Sequence, residues 1–353
     1  MIILPIIYFV FITSFLFSFR KKVISSKRQE THATVIVAAH NEEASIHLLL
    51  DSFLKQDHPL EAVEFIVAND RSIDKTGEIL LRYKPRFPNF KIITITTLPE
   101  GKFGKKNALE HAIESATHDV LLFTDADCEC SENWISSTLE LYEEDTASVV
   151  GNSPLTPVKD SFIEQFQIAE TLFAHIIAYV SIQFKSPVMS FGRNFSYRKS
   201  VFEKIDGFKS IEQSMSGDDD LLLDQIRKHK LPVKYNKKAQ VPSPPMLTFA
   251  SFLRQRTRHL SAVKYFSMSY QIMASLFHLS HIGVYASLFF IDHPFFVLGT
   301  KLFLDGLVFW KMNQIYKSNR LIRYFFLWEC FYLPYVFILT IKGYFAQMKS
   351  IKW

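Results

Sequence analysis

Between about residue 31 and residue 245, short apolar runs alternate with stretches whose apolar residues recur at helical spacing. "ATVIVAAHNEE" predicts a buried strand over 34–38 that opens into a polar loop. "EASIHLLLDSFLKQ" carries the helical period. "VEFIVANDRS" predicts a second strand ending on Asn69 and Asp70, and "DKTGEILLRYKPR" a second helix. "FKIITITTL" then predicts a third strand, "GKKNALEHAIESA" a third helix and "DVLLFTDAD" a fourth strand. Strand and helix in turn, with short connections, predict an α/β fold whose sheet is mostly parallel and covered on both faces. In such sheets ligands sit beyond the carboxyl ends of the strands, where residues 38–42, Asp70 and 125–127 fall.

The flanks follow a different pattern. Residues 1–19 are apolar and are followed by Arg20, Lys21, Lys22, Lys27 and Arg28. A run of roughly 20 apolar residues is long enough to cross a bilayer, and charge placed after it predicts an anchor rather than a cleaved signal. Past residue 245, "LTFASFLRQRTRHLSAVKYF" reads as a basic amphipathic helix suited to a membrane surface. Further apolar runs cover 270–291, 295–310 and 325–341. The second contains Lys301 and Asp305, whose spacing allows a mutual pair, and the third contains Glu329 and Pro334. The expected organisation is an anchor over 1–22, a catalytic domain over 31–245, an interfacial helix over 246–268 and a membrane region over 269–353 with two or three spans. That organisation implies a multi-pass protein of the plasma (inner) membrane with its catalytic domain in the cytoplasm.

Composition agrees with a globular domain plus apolar helices: 48% of the 353 residues are hydrophobic and 21% charged. The net charge of +5 comes without a long Lys/Arg tract, so a nucleic-acid partner is not expected. Three cysteines make no disulfide framework, and the C-x-C of Cys128 and Cys130 lacks the further ligands of a thiolate metal site.

The chemistry gathers at the strand ends. A strand that runs straight into Asp125 and Asp127 sets two carboxylates on one side. Such a pair either faces solvent or holds a cation, because burying it without a positive partner is costly. Two hard oxygen donors suit Mg2+ or Mn2+, which bind through few carboxylates plus substrate phosphates. Asp70 after a strand can act as a turn residue or accept hydrogen bonds from a ligand. Lys105 and Lys106, at a helix start, can each neutralise a diphosphate.

Seven motifs stand in order: "VIVAAHNEE", "ANDRSID", "GKKNAL", "FTDADC", "GRNFSYRKSVFEKIDGF", "SGDDDLLL" and "QRTRH". Over 33–260 this series resembles the membrane-anchored family 2 glycosyltransferases of GT-A fold. The resemblance implies a Rossmann-like mixed sheet with flanking helices. It implies a nucleotide-sugar site that includes Glu42, Asp70, Lys105, Asp125, Arg193, Asn194, Gln255 and Arg258, with Asp127 as direct metal ligand and Asp125 beside it. The family's acidic pair maps onto Asp218 and Asp219. Asp219 is expected as the general base that takes the acceptor hydroxyl proton, with Asp218 as the alternative. Two departures stand out: Glu110 occupies a place usually held by Asn, and His259 replaces the expected Trp that lines the acceptor site.

The resemblance therefore implies an inverting transferase. It would move a sugar from a nucleotide-sugar donor, a UDP-sugar by resemblance, to a membrane lipid, a lipid-linked glycan or a polysaccharide. A processive polysaccharide synthase subunit needing a partner or oligomer for export is the alternative within this class. A nucleotidyltransferase and a membrane scaffold with an inactive transferase domain are rivals outside it.

Overall fold

In chain order the helices are α1 Ile3–Ser18, α2 Ile46–Phe53, α3 Thr76–Tyr83, α4 Gly104–Ser115, α5 Trp134–Leu139, α6 Phe162–Gln183, α7 Lys199–Lys204, α8 Asp220–Lys228, α9 Phe249–Ser261, α10 Met268–Ser287, α11 Pro294–Tyr316 and α12 Leu321–Phe345. The strands are β1 Ala33–Ala39, β2 Val63–Asp70, β3 Phe90–Ile95, β4 Val120–Asp125, β5 Ser148–Asn152, β6 Phe195–Arg198 and β7 Val233–Gln240. The structure, a computed structural model, describes residues 3–18, 31–159, 161–214, 216–316 and 321–345. The chain divides into two units. One holds the strands with α2–α5, α7 and α8; the other holds α1, α6 and α9–α12.

The strand unit is built on one seven-stranded sheet in the order β3-β2-β1-β4-β6-β5-β7. β1 pairs in parallel with both β2 and β4, β2 with β3, and β5 with β7. β6 runs antiparallel to β4 and to β5. The sheet is thus mixed and mostly parallel, as the alternating pattern predicts. β2 is buried at every position, which is why the apolar residues from Phe65 to Ala68 run on without alternating. Phe53 packs on Phe65 with ring centroids 5.2 Å apart and stacks on Trp134 at 6.0 Å, anchoring α2 and α5 to one core. Because β1 sits between β2 and β4, the chain leaves the sheet in opposite directions on its two sides. That switch opens a crevice at the carboxyl ends of β1 and β4.

The helical unit departs from expectation. Among the described residues no helix is long and apolar enough to cross a membrane. This overturns the spans expected at 1–19, 270–291, 295–310 and 325–341, and with them the multi-pass plasma-membrane placement. The physical reasons are local. α1 has 16 described residues, short of the roughly 20 that a span needs. α10 is diluted by Gln271, His278 and His281, α11 carries Lys301, Asp305 and Lys311, and α12 carries Arg323, Glu329 and Lys342. The basic cluster from Arg20 to Arg28 lies outside the described residues, as does the C-terminal tail after Phe345.

Two polar clusters tie these helices together. Lys301 is fully buried and donates to Asp305 at 2.8 Å, the pair that the sequence spacing allows. It also pairs with Glu329 of α12. The Tyr8 hydroxyl of α1 donates to Asp305 at 2.7 Å, and Tyr285 of α10 donates to Glu329 at 3.1 Å. In the second cluster Arg256 of α9 donates to Glu170 of α6 at 2.7 Å, and the Tyr335 hydroxyl donates to the same carboxylate. Arg256 is therefore committed to an ion pair and does not contribute to a basic outer face on α9.

Candidate active site

β4 ends at Asp125, and the next residues turn instead of extending. The Cys128 N–H donates to the Asp125 carbonyl at 3.2 Å, which closes that turn. The turn, not strand alternation, brings the two carboxylates together. Ligand atoms of Asp125, Asp127 and Cys128 all lie within 4.8 Å of one another. Asp127 is exposed and Cys128 is fully buried. Burial, then Asp125 and Asp127, push the Cys128 thiol well up, so it stays protonated. The usable donors are two carboxylates, a hard-oxygen set that fits Mg2+ or Mn2+ and not a thiolate-bound metal.

Lys105, in the first turn of α4, reaches Asp125 at 2.9 Å and Asp218 at 3.1 Å. One ammonium thus joins the β4 turn to the acidic stretch before α8. Asp219 caps α8: one carboxylate oxygen accepts from the Asp220 N–H at 2.8 Å, the other from the Gly192 N–H at 2.6 Å. A Cβ at position 192 would lie 3.2 Å from the Asp219 carboxylate, a tight contact that glycine avoids. Lys105, Asp125, Gly192, Asp218 and Asp219 line one pocket, with Phe195 and Tyr197 among its walls. The space left between these side chains is about 10 Å³, room for roughly one water molecule.

The two aspartates are electrostatically unlike. Burial raises Asp219, and the charge of Asp218 raises it further, to about 6. Burial also works against ionised Asp218, but Lys105 outweighs it and holds that carboxyl below the usual range. Asp220 accepts from the Ser190 N–H at 2.7 Å, and burial with Asp219 beside it pushes its carboxyl well up.

Glu42 lies just past the carboxyl end of β1, where its backbone N–H donates to the Thr76 hydroxyl at 2.8 Å. Burial raises its carboxyl, and the charges of Asp127 and Asp125 add to that. Arg193 donates to the Ser153 carbonyl at 3.1 Å, and its charge acts on Asp127. Asp70 is fully buried and takes a two-pronged ion pair from Arg71, with contacts of 2.8 and 2.7 Å. Its carboxylate is thus engaged within the protein.

Asn194 departs from the expected donor site. It is buried, accepts from the Trp134 indole N–H at 2.9 Å and donates to the Asn152 carbonyl at 2.8 Å. It does not line the pocket, because its carboxamide is spent on the core. Gln255 and Arg258 stand on α9, in the helical unit. The sequence alone did not reveal the Gly192 amide that holds Asp219. The signal was present, as a glycine just ahead of the polar run Arg193–Asn194.

A switch-point crevice lined by carboxylates and one lysine, on a mixed α/β sheet, defines a GT-A-type nucleotide-sugar fold. The chain belongs to glycosyl transferase family 2, whose family model matches residues 34–212, and it is a glycosyltransferase. It is 26% identical over 293 residues to a probable glycosyltransferase, YdaM, of Bacillus subtilis, covering 81% of this chain and 67% of that protein. It is 28% identical over 176 residues to a poly-beta-1,6-N-acetyl-D-glucosamine synthase of Staphylococcus epidermidis, covering 49% of this chain and 40% of the synthase. A beta-monoglucosyldiacylglycerol synthase of Nostoc matches over 138 residues at 25% identity, 39% of this chain and 29% of that enzyme. Among solved structures, a mannosyltransferase of Pyrobaculum calidifontis in complex with GDP-Man and Mn2+ superimposes with a TM-score of 0.65. It shares 15% identity over 96% of this chain and 95% of that one, a likeness of fold.

Proposed function

We propose that this protein transfers a sugar from a nucleoside diphosphate sugar to a hydroxyl of a glycan or lipid acceptor, with inversion at the anomeric carbon. The observation that carries this reading is the bridge of Lys105 between Asp125 and Asp218 in the pocket that also holds Asp219. A diphosphate entering that pocket brings the negative charge that Lys105 now takes from two aspartates. Lys105 would turn to the phosphates and leave the acidic pair free to face the acceptor. Asp127 and Asp125 would hold a divalent cation, which supplies positive charge for the departing diphosphate.

Asp219 is the assigned general base. With its carboxyl raised to about 6 it is ionised at neutral pH yet basic enough to take a proton. The acceptor oxygen bonds to the anomeric carbon as the bond to the diphosphate breaks, and the hydroxyl proton passes to Asp219. Asp218, which Lys105 holds ionised before the donor enters, brings negative charge beside the reacting carbon, where a cationic oxocarbenium-like state develops. Similarity to both a glycan synthase and a glycolipid synthase supports the two acceptor classes named.

The test is calorimetric binding of UDP and GDP, with and without Mn2+, to wild type and to Asp127→Asn. Metal-dependent binding of one nucleotide, lost in the variant, supports the assignment and identifies the donor base. A folded wild type that binds neither nucleotide overturns it.

A further inference from the structure

Lys106 is a buried charge that the proposed reaction does not use. It follows Lys105 in the first turn of α4 and is 4% exposed. Its ammonium donates to two backbone carbonyls, those of Ile211 and Ser214, each at 2.7 Å. These carbonyls belong to the segment that leads into the acidic pair. The Ser214 N–H itself donates to the Ile211 carbonyl at 3.1 Å, so the turn that Lys106 grips is already a closed one. Three residues past Ser214 the backbone passes through Gly217 at a φ of +88°, and Asp218 and Asp219 follow at once.

Two neighbouring lysines thus hold one acidic stretch by different means. Lys105 takes Asp218 by its side chain, and Lys106 takes the approach to it by its backbone. An apolar side chain at 106 would avoid the desolvation of a buried ammonium, but it would take the lysine donor from both carbonyls and leave Ile211 with the Ser214 N–H alone. Burial lowers the Lys106 amine to about 8, against the opposing pull of Asp218 and Asp219. Even uncharged, the amine keeps two N–H bonds, one for each carbonyl.

We propose that Lys106 is a positioning residue. By pinning the carbonyls of Ile211 and Ser214 it fixes where the Asp218–Asp219 carboxylates stand relative to Lys105 and the reacting groups. The inference rests on the reading of the acidic pair as the catalytic base. It concerns a side chain that touches neither donor nor acceptor in that reading.

The experiment compares Lys106→Met and Lys106→Arg in the full chain with wild type. It measures binding of UDP and GDP with Mn2+, turnover of UDP- and GDP-sugars (transfer to water included), the pH dependence of turnover, and amide hydrogen exchange over 209–221. For Lys106→Met the expected result is nucleotide affinity within about twofold of wild type and turnover lower by about 100-fold, the loss expected from a displacement of about 1 Å in a catalytic group. Exchange over 209–214 should rise. The acid limb of the pH profile should move upward, because a positive charge near the pair has gone. Lys106→Arg, which keeps charge and donors, should recover most of the rate. Should Lys106→Met not fold, Lys106→Gln carries the same test without the charge. Turnover of the Met or Gln variant within about threefold of wild type, with an unmoved acid limb, overturns the inference alone. A wild type that binds no nucleotide overturns the proposed function beneath it.

Discussion

Gly151 lies against Asn194 so closely that a Cβ at position 151 would fall 2.2 Å from the carboxamide. The amide has nowhere to go, because Trp134 and Asn152 hold it on two sides. Gly151→Ala should therefore overpack this contact and destabilise the strand unit by about 1–3 kcal/mol. A lower midpoint in urea with an unchanged slope would show this. An unchanged midpoint would mean that Asn194 yields at little cost.

Asp127 is exposed, and its carboxylate is the outermost hard donor of the pair. Asp127→Asn should leave thermal stability within about 0.5 kcal/mol of wild type, as surface changes do. It should also abolish the Mn2+ dependence of nucleotide binding. Retained metal-dependent binding in a calorimeter would move the metal to other ligands.

A base raised to about 6 makes its own pH signature. Turnover should fall about tenfold per unit as pH drops below about 6, because the protonated carboxyl cannot accept the acceptor's proton. Asp218→Asn removes the neighbouring charge that raises Asp219, so the acid limb should move to lower pH in that variant. The stability sign is the opposite. A carboxyl whose folded-state value lies above 3.8 favours the protonated fold, so this group's contribution weakens as pH rises from about 4 through about 6. A pH–rate profile on both proteins checks the first statement, and denaturation across the same range checks the second.

Lys301 is the sole cation of its cluster among the described residues, facing Asp305 and Glu329. Lys301→Met should cost about 3–5 kcal/mol, because it strands two buried carboxylates. Adding Glu329→Gln and Asp305→Asn should return part of that loss. Equal instability of single and triple variants in denaturant would show that the lysine stem's packing, and not its charge, was what mattered.

The central strands and their chemistry were legible because apolar runs that stop on carboxylates carry their own boundary. β1, β2 and β4 end close to where "AAHNEE", "AND" and "TDAD" change character. β6 and β7 were not legible. β6 has four residues inside a stretch that reads as loop and helix, and β7, "VKYNKKAQ", is polar enough to hide at a sheet edge. The mapped acidic pair and Lys105 come together, but Asn194 does not join them, since no local pattern shows that Trp134, 60 residues earlier, claims its side chain. The helical flanks misled for a related reason. Hydropathy sees Lys301 and Asp305 as a local pair, but Tyr8 and Glu329 meet them only in three dimensions.

The bond from Tyr8 to Asp305 spans 297 residues. At a synthesis rate of about 5–20 residues per second, α1 leaves the ribosome about 15–60 s before the partner that satisfies its hydroxyl exists. α10 and α12, which share its cluster, are also made late. Until α10 is made, about 250 residues after α1, α6 is the neighbour in its own unit against which this apolar helix packs among the described residues. The order of birth is thus the reverse of the order of need. The strand unit can close on itself while the first helix is still waiting, and α11, made far later, brings the carboxylate that completes it.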